Sequence, residues 1–203
     1  MRKRKPIRVT SVLSFVESEW KQWWWRKVGF EVADKITEES SAFGTRVHKL
    51  IEGILKDEVK VDIDSEVPEE KCAIEVVLWM EQNKMKPFTN DSYAESLEVE
   101  VEDKKLNLIG HFDFVAEWKG KSYIVDFKTS NKMRKSFPLQ KSAYAKMLSK
   151  NSICVDDGLT IRSHWDAEKK AVEFEVKEYN GLKKYWKVFK SCYDVYCYFT
   201  YAD

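Results

Sequence analysis

Charged residues interrupt two apolar stretches in the middle of this 203-residue chain. Asp113 lies inside the run Leu106–Trp118, and Asp126 and Lys128 come at the end of the stretch Tyr123–Lys128. If these stretches are strands, Asp126 and Lys128 point to the same face, because side chains alternate along a strand. Buried charges are costly unless they are paired or bind a cation, and carboxylates suit a hard divalent metal ion. The residues therefore predict a metal site with an ammonium group beside it.

The residues between the two stretches predict a β-hairpin. Lys119, Gly120 and Lys121 form a short polar segment in which the glycine accepts a positive φ. An isolated D-x-K sequence is also typical of a surface salt bridge on a hairpin. This motif alone does not decide between the two interpretations.

An upstream helix supplies a histidine. Apolar side chains recur at helical spacing in this segment, which predicts a helix over Ser40–Lys56 with one face in the core. His48 lies on the edge of the apolar stripe, one turn from Ile51. A histidine in that position serves either as a hydrogen-bonded core residue or as a metal ligand.

A second polar pair follows the D-x-K sequence. After the basic loop 131–135, Pro138 suits the first turn of a helix. Gln140 and Tyr144 are four residues apart and therefore lie on one face of that helix. By itself, this pair is compatible with an ordinary amphipathic helix.

These motifs, in this order, resemble the PD-(D/E)XK nuclease superfamily. Gly44–Glu52 is similar to the G-T-x-V-H-x-x-I-E motif of RecB-type, AddB-type and CRISPR-adaptation nucleases, and a lone Asp, D-x-K and Q-x-x-x-Y follow it. Val9–Leu13 and the tryptophan-rich helix look closest to the small stand-alone exonucleases of phages and of mitochondrial genome maintenance. The resemblance implies an α/β, restriction-endonuclease-like core. It has a central mixed β-sheet flanked by helices, with an N-terminal helical elaboration.

The resemblance also implies which residues hold the metal. His48 would be a nitrogen ligand, Asp113 and Asp126 carboxylate ligands, and Phe127 would contribute its backbone carbonyl. The cofactor would be one or two Mg²⁺ or Mn²⁺ ions, and an imidazole among oxygen ligands favours Mn²⁺. His111, on the face of Asp113, is the reserve nitrogen ligand. No iron–sulfur cluster is expected, because the four cysteines are widely spread and the family's cysteine quartet is missing.

Other residues take catalytic roles by the same resemblance. Lys128 would orient or deprotonate the attacking water and stabilise the developing charge. Gln140 would position Lys128 or the phosphate, and Tyr144 the substrate strand. Glu98 or Glu100 on the preceding strand would touch the site, unless this row of glutamates is only a solvated face.

The distribution of charge predicts a nucleic-acid partner. Residues 1–27 carry eight Lys/Arg against two acids, and residues 119–150 carry nine against one. Such segments focus positive potential beside the site. The consecutive tryptophans cannot share one helical face, so core packing and base stacking both remain open for them. The expected nucleic-acid contacts are Lys21, Trp23, Trp24, Trp25, Arg26, Lys27, Thr45, Arg46, Thr129, Ser130, Lys132, Arg134, Lys135, Gln140 and Tyr144.

The remaining stretches predict the elements around the site. A helix capped by Thr10 or Ser11 should run to Gly29, and aromatic residues of the last helix should lie in the core. The further elements expected are a helix over Glu69–Lys84, a strand over Tyr93–Glu102, and strands over Leu159–Trp165 and Ala171–Lys177. We expect one domain, with an elaboration at 1–45, a catalytic core at 46–180 and a C-terminal helix at 181–203.

Together these features predict a metal-dependent DNA exonuclease that acts on single-stranded DNA with a free end. The alternatives are a structure- or sequence-specific endonuclease on the same fold and an inactive nucleic-acid-binding subunit. An intracellular protein is expected, because no apolar signal region follows the basic start and no run is long enough to span a membrane. Partners from replication, recombination or DNA repair fit this activity. Cleavage polarity, DNA against RNA, and oligomeric state stay open.

Overall fold

The structure is a computed structural model that describes residues 5–88, 97–150, 153–155 and 157–201, with the side chains of residues 19–21 outside the description. Within these ranges, four helices follow the first short strand, and four strands follow those helices. The helices are α1 (Val9–Val16), α2 (Ser18–Val28), α3 (Phe30–Leu55), α4 (Pro68–Gln82), α5 (Phe137–Ser149) and α6 (Lys183–Tyr201). The strands are β1 (Ile7–Arg8), β2 (Lys86–Pro87), β3 (Leu97–Asp103), β4 (Leu108–Trp118), β5 (Lys121–Lys128), β6 (Asp157–Asp166) and β7 (Ala171–Tyr179).

The seven strands form one mixed sheet around β4. The order is β1-β4-β5-β6-β7, and β2 and β3 also pair with β4. The β4–β5 and β6–β7 pairs are antiparallel hairpins, whereas β5 and β6 are parallel and α5 connects them. The predicted α/β fold with a central mixed sheet flanked by helices is confirmed.

Helices cover both faces of the sheet and define two cores. One core packs α1, α5 and α6 against the sheet, with Phe112, Ile124 and Phe189 among its buried residues. The other packs α3 and α4 against the opposite face, with Ile51 and Phe114 buried. The central strands β4 and β5 therefore lie between two apolar layers, where a charged group needs a partner.

The N-terminal helix differs from the prediction. It begins at Val9, its N-cap residue is Arg8, and no side chain caps it, so the expected cap at Thr10 or Ser11 is wrong. The helix also breaks at Glu17, and α2 follows. Gly29 ends α2 as predicted, at a φ of 89° that favours glycine.

The helix that carries His48 is longer than predicted. It begins at Phe30, ten residues before the expected start at Ser40. The side chain of Phe30 is 63% exposed and Val32 and Ile36 are also exposed, so the first half of α3 has no continuous core-facing stripe. Apolar periodicity reports burial, and it therefore missed a helical segment that is mostly exposed. The helix runs without a break through residue 45, the expected end of the elaboration.

The other elements follow the prediction to within a few residues. In α4, Ala73, Val76, Val77 and Met80 recur at helical spacing and are all buried. In α6, Phe189 is buried, and the other expected core aromatics are partly buried against the same core. The first residues of the strand expected over Tyr93–Glu102 lie outside the described ranges, and β3 covers the rest. Within those ranges no helix is long and apolar enough to cross a membrane.

Candidate functional site

The site forms where two paired strands switch faces. Leu97 and Val99 are two residues apart, yet Leu97 packs in the α3–α4 core and Val99 against the opposite core. Between them Glu98 has a φ of 52°, an unusual left-handed conformation for a glutamate. The alternation of apolar residues and glutamates in β3 predicts that Leu97 and Val99 share one face, and this prediction is wrong for Leu97. Such local strain concentrates at functional sites.

The partner strand switches faces at the matching position. Phe112 packs in one core and Phe114 in the other, with Asp113 between them. The β3–β4 register pairs Leu97 with Phe114 and Val99 with Phe112, so Glu98 and Asp113 lie opposite each other. At this switch, the carboxylates of Glu98 and Asp113 both lie at the boundary between the two cores.

His48 on α3 completes a group of three possible ligands. Its Nδ1 lies 3.7 Å from Oδ1 of Asp113 and 3.9 Å from Oε1 of Glu98. One donor atom from each of the three residues lies within 4.8 Å of the others. Burial disfavours the charged imidazole, but the Asp113 and Glu98 carboxylates outweigh burial and raise the pKa of His48. Of the two glutamates considered from the sequence, Glu98 is the one in the group.

Asp113 also joins β4 to β5. The backbone pairing of β4 with β5 ends at Phe114 and Val125, and beyond it Oδ2 of Asp113 accepts the backbone N–H of Phe127 at 2.7 Å. The other oxygen of Asp113 faces His48. Burial raises the pKa of Asp113, although the nearby His48 opposes that shift. Asp113 therefore positions β5 with one oxygen and offers the other to a cation.

Asp126 lies between two lysines. Its Oδ1 is 2.5 Å from Nζ of Lys128, and its Oδ2 is 3.0 Å from Nζ of Lys141 on α5. Lys141 also donates to Oγ1 of Thr160 on β6 at 2.6 Å. Burial opposes the charge on Asp126, but the two ammonium groups outweigh it and lower the pKa of this carboxyl. Asp126 is thus held as a carboxylate.

Lys128 keeps its charge for the same reason. Burial acts against the ammonium, and Asp126 and Asp113 outweigh burial and raise the pKa of Lys128. A fifth of its side chain remains exposed, whereas Asp126 is almost completely buried. Lys128 is therefore a protonated group at the surface of the site, suited to stabilising an anion.

Gln140 and Tyr144 form a hydrogen-bonded pair on α5. Nε2 of Gln140 donates to the Tyr144 hydroxyl at 3.0 Å, as their four-residue spacing allows. The ring of Tyr144 packs over Gly110, where an added Cβ would lie 2.3 Å from a ring carbon. Tyr144 is 2% exposed. The ring of Tyr144 is therefore part of the core, and its predicted contact with a nucleic-acid strand stays a prediction.

Side chains of β6 hold the loop after Lys128 through hydrogen bonds to its backbone carbonyls. The carbonyl of Thr129 lies 2.9 Å from Nδ1 of His164, which must donate because a carbonyl only accepts. The carbonyl of Ser130 accepts from Arg162 at 3.3 Å. An added Cβ at Gly44 would lie 3.0 Å from Oγ1 of Thr129, which explains the glycine of the G-T-x-V-H motif. Arg162 and His164 on β6 were not identified from the sequence, because their partners are backbone carbonyls, which every residue carries.

The consecutive tryptophans divide between core and surface. Trp23 is 56% exposed, and Nζ of Lys27 lies 5.2 Å from its ring centroid, a cation–π contact. Trp24 and Trp25 are partly buried, and the Trp25 ring lies 5.3 Å from that of Phe30. Trp23 is thus the tryptophan of this trio that offers a face to a ligand.

The other residues expected to contact nucleic acid differ in their availability. Arg46 pairs with Glu69 at 2.8 Å, and Arg134 lies 3.6 Å from Glu17. The hydroxyl of Thr45 donates to a carbonyl of its own helix. Arg26, Lys27, Lys132 and Lys135 are exposed, and the side chain of Lys21 lies outside the described residues.

His111 belongs to a separate contact. Its Nε2 lies 2.8 Å from Oε2 of Glu100, and both side chains are more than half exposed. His48, not His111, therefore supplies the nitrogen atom beside Asp113.

The donor set fits a divalent cation with mixed nitrogen and oxygen ligands. One imidazole and two carboxylates are ligands that Mn²⁺ and Mg²⁺ sites use. The three-residue group found among the described residues is His48, Glu98 and Asp113; it does not include Asp126, whose oxygens face the two lysines. Lys141 was missed because a lysine in an amphipathic helix is ordinarily a surface residue.

Comparison with known proteins adds one relative. The mitochondrial genome maintenance exonuclease 1 of Mus musculus is 28% identical over 183 residues, which cover 85% of this chain and 51% of that protein. The chain thus spans about half the length of this curated relative. No protein-family model matches the chain. Among solved structures, the crystal structure of SSO0001 aligns with 96% of this chain and 78% of its own, at a TM-score of 0.42 and 13% identity.

Proposed function

We propose that this protein is a metal-dependent DNA nuclease that hydrolyses phosphodiester bonds. The observation that carries the proposal is the meeting of His48, Glu98 and Asp113 beside the Asp126–Lys128 pair, linked through the Asp113–Phe127 hydrogen bond. A charged lysine next to a group of metal-ligand type suits the hydrolysis of an anionic ester. The similarity to an exonuclease supports the same chemistry.

His48, Glu98 and Asp113 would hold Mg²⁺ or Mn²⁺, and Asp126 and the carbonyl of Phe127 would complete the set. Such an ion activates water and neutralises charge on the phosphate when it is bound. The imidazole favours Mn²⁺. Because the Asp113 and Glu98 carboxylates outweigh burial and raise the pKa of His48, this side chain must release a proton before its nitrogen serves as a ligand.

Lys128 would act on the reacting phosphate. Its ammonium is charged and partly exposed, so it would stabilise negative charge on the phosphate oxygens and orient the attacking water. A raised pKa makes this lysine a poor base, so the structure favours the electrostatic role over deprotonation of the water. Gln140 would position the phosphate, since its amide lies beside the buried Tyr144 hydroxyl.

The substrate we propose is single-stranded DNA with a free end. Trp23 with Lys27 above its ring combines a stacking face with a phosphate-binding charge, the pair of features that binds single strands without regard to sequence. One base–aromatic stack contributes roughly 1–3 kcal/mol. Exposed Lys132 and Lys135 lie in the loop after Lys128, on the chain next to the reacting group. We infer that the helices ahead of His48 make the strand thread through the site from its end.

Circular and linear forms of the same single-stranded DNA test this function. In the presence of Mn²⁺ or Mg²⁺, the protein should digest the linear form and leave the circle intact. Trp23→Ala should weaken binding of the linear strand by about tenfold or more, the equivalent of one lost stack. Tyr198→Ala is the matched control, because it removes an equally exposed aromatic ring from α6. Rapid cutting of the circle would instead indicate an endonuclease with an open cleft.

A further inference from the structure

A second lysine of the site has no role in the proposed chemistry. The side chain of Lys141 is 0% exposed, so it cannot reach a substrate or the bulk solvent. Its Nζ donates to Oδ2 of Asp126 at 3.0 Å and to Oγ1 of Thr160 at 2.6 Å. Whatever Lys141 does, it does through Asp126.

The fold makes room for this lysine. Its aliphatic stem crosses β6 at Gly158, where an added Cβ would lie 2.8 Å from Cδ of Lys141. Its ammonium lies 5.7 Å from the ring centroid of Phe137 and 5.5 Å from that of Tyr179. Two rings and a glycine on three different elements therefore surround one charged chain. Ordering and desolvating a lysine is unfavourable, so a buried one marks a specific requirement at that place.

The two oxygens of Asp126 have different partners. Oδ2 faces Lys141, which is fixed by burial and by Thr160, whereas Oδ1 faces Lys128, which is partly exposed. The Lys141 contact is thus enclosed by the core, and the Lys128 contact lies on the exposed side of the site. If Lys141 were absent, Oδ2 would lose its buried partner and the carboxylate could rotate toward Lys128.

We propose that Lys141 is a positioning residue: it holds Oδ2 of Asp126, so that Oδ1, which pairs with Lys128 in the metal-free structure, is the oxygen left to turn to a bound metal. The inference rests on the proposed metal-binding function. Outer partners of this kind fix the orientation of a ligand, and their loss typically weakens metal affinity about 10–100-fold. Lys141 also keeps Lys128 from being the sole counter-ion of Asp126, which leaves Lys128 available to the phosphate.

Binding of Mn²⁺ to the DNA-free protein, measured by isothermal titration calorimetry, tests the inference without a turnover assay. Lys141→Met keeps the apolar stem and removes the charge. It should raise the dissociation constant for Mn²⁺ by about tenfold or more. Lys128→Met is the matched control, since it removes one positive charge from the other oxygen of Asp126. Loss of a positive charge alone should tighten the binding of a cation, so Lys128→Met should bind Mn²⁺ at least as tightly as the wild type.

The outcomes of these titrations separate the inference from the proposed function. Weaker Mn²⁺ binding in Lys141→Met but not in Lys128→Met supports a positioning role. Equal or tighter binding in both variants means that Lys141 only neutralises charge, and overturns the inference while the nuclease assignment stands. Wild-type protein that binds no Mn²⁺ overturns both. A purely structural role would lower thermal stability in Lys141→Met and leave the Mn²⁺ dissociation constant of the folded protein unchanged.

Thr160 provides a second test if Lys141→Met fails to fold. Thr160→Ser keeps the hydroxyl that holds Lys141, and Thr160→Val removes it at nearly the same volume. The inference predicts weaker Mn²⁺ binding in Thr160→Val and wild-type binding in Thr160→Ser. Ser163→Ala controls for damage to β6, because Ser163 donates to the carbonyl of Cys72, away from Asp126. Equal Mn²⁺ binding in Thr160→Val and the wild type would overturn the inference.

Discussion

The carboxylate of Asp113 accepts the backbone N–H of Phe127 at 2.7 Å, at the point where β4 and β5 stop pairing. A side chain thus replaces the next hydrogen bond of the ladder. The contact joins Asp113 on β4 to the strand that ends in Asp126 and Lys128. One interaction therefore sets both the geometry of the sheet and the spacing of the proposed ligands.

Lys128→Ala should reduce kcat by at least about 100-fold while DNA binding stays close to that of the wild type. The ammonium stabilises charge that develops in the transition state, so its loss affects turnover more than ground-state affinity. Single-turnover cleavage and fluorescence anisotropy measure the two quantities. A Lys128→Ala protein that remains active would contradict the assignment of the site.

His48→Ala should weaken metal binding and leave more activity in Mn²⁺ than in Mg²⁺. The variant removes the imidazole beside Asp113 and Glu98. The carboxylates that remain form a weaker site, and we expect this site to bind Mn²⁺ better than Mg²⁺. Titration of both ions against folded protein provides the measurement. His111→Ala is the control, since His111 pairs with Glu100 outside the three-residue group. A core role for His48 would instead appear as lower thermal stability with unchanged metal dependence.

Metal affinity should increase with pH across neutrality. Burial works against the charged imidazole, but Asp113 and Glu98 raise the pKa of His48 above its ordinary 6.5, so a proton competes with the metal until the pH passes the raised value. Titrations with Mn²⁺ between about pH 5 and about pH 8 should show this rise, and His48→Gln should flatten it. A wild-type affinity independent of pH would count against His48 as a ligand.

The same pKa shift has the opposite effect on the metal-free fold. A raised pKa stabilises the folded protein below the ordinary value of 6.5, and this contribution is lost as the pH rises through the raised pKa. The difference in free energy of unfolding between the wild type and His48→Gln should therefore shrink as the pH increases, in EDTA. A difference that grew with pH would reverse the sign of the shift.

Gly110→Ala should destabilise the protein by about 1–3 kcal/mol, the usual cost of overpacking a core. The added methyl would meet the ring of Tyr144 at 2.3 Å, and that ring is buried. Chemical denaturation of Gly110→Ala, Tyr144→Ala and the double variant measures the coupling. The cost of the added methyl should fall when the tyrosine is truncated; additive effects would show that another contact restricts residue 110.

Local patterns predict much of this site. The turn at Lys119–Gly120 and strand alternation bring Asp113, Asp126 and Lys128 together, because hairpins depend on neighbouring residues. The choice between Glu98 and Glu100 could not be made in this way. It depends on the left-handed backbone at Glu98, which breaks the alternation that the prediction assumed.

Long-range packing decided what the patterns could not. Lys141 is buried because Gly158, Phe137 and Tyr179 surround it. Gly158 and Tyr179 lie 17 and 38 residues after Lys141 in the sequence. The four-residue spacing of Gln140 and Tyr144 predicted that they share a helical face, and they form a hydrogen bond. The spacing did not predict that the ring of Tyr144 would be buried over Gly110. In each case, the burial of the residue was set by elements far from it in sequence.

Cleavage of end-labelled single-stranded DNA by the wild type and Asp113→Asn, with Mn²⁺, Mg²⁺ or EDTA, tests the central claim most directly. Asp113→Asn keeps the size of the side chain and an oxygen that can accept from Phe127, but removes the charge that faces His48. We expect the wild type to cleave with either ion and not in EDTA, and Asp113→Asn to lose at least about 100-fold in rate while remaining folded. Wild-type protein that leaves the strand intact with both ions, or equal cleavage by folded Asp113→Asn, would contradict a metal-dependent nuclease site at these residues.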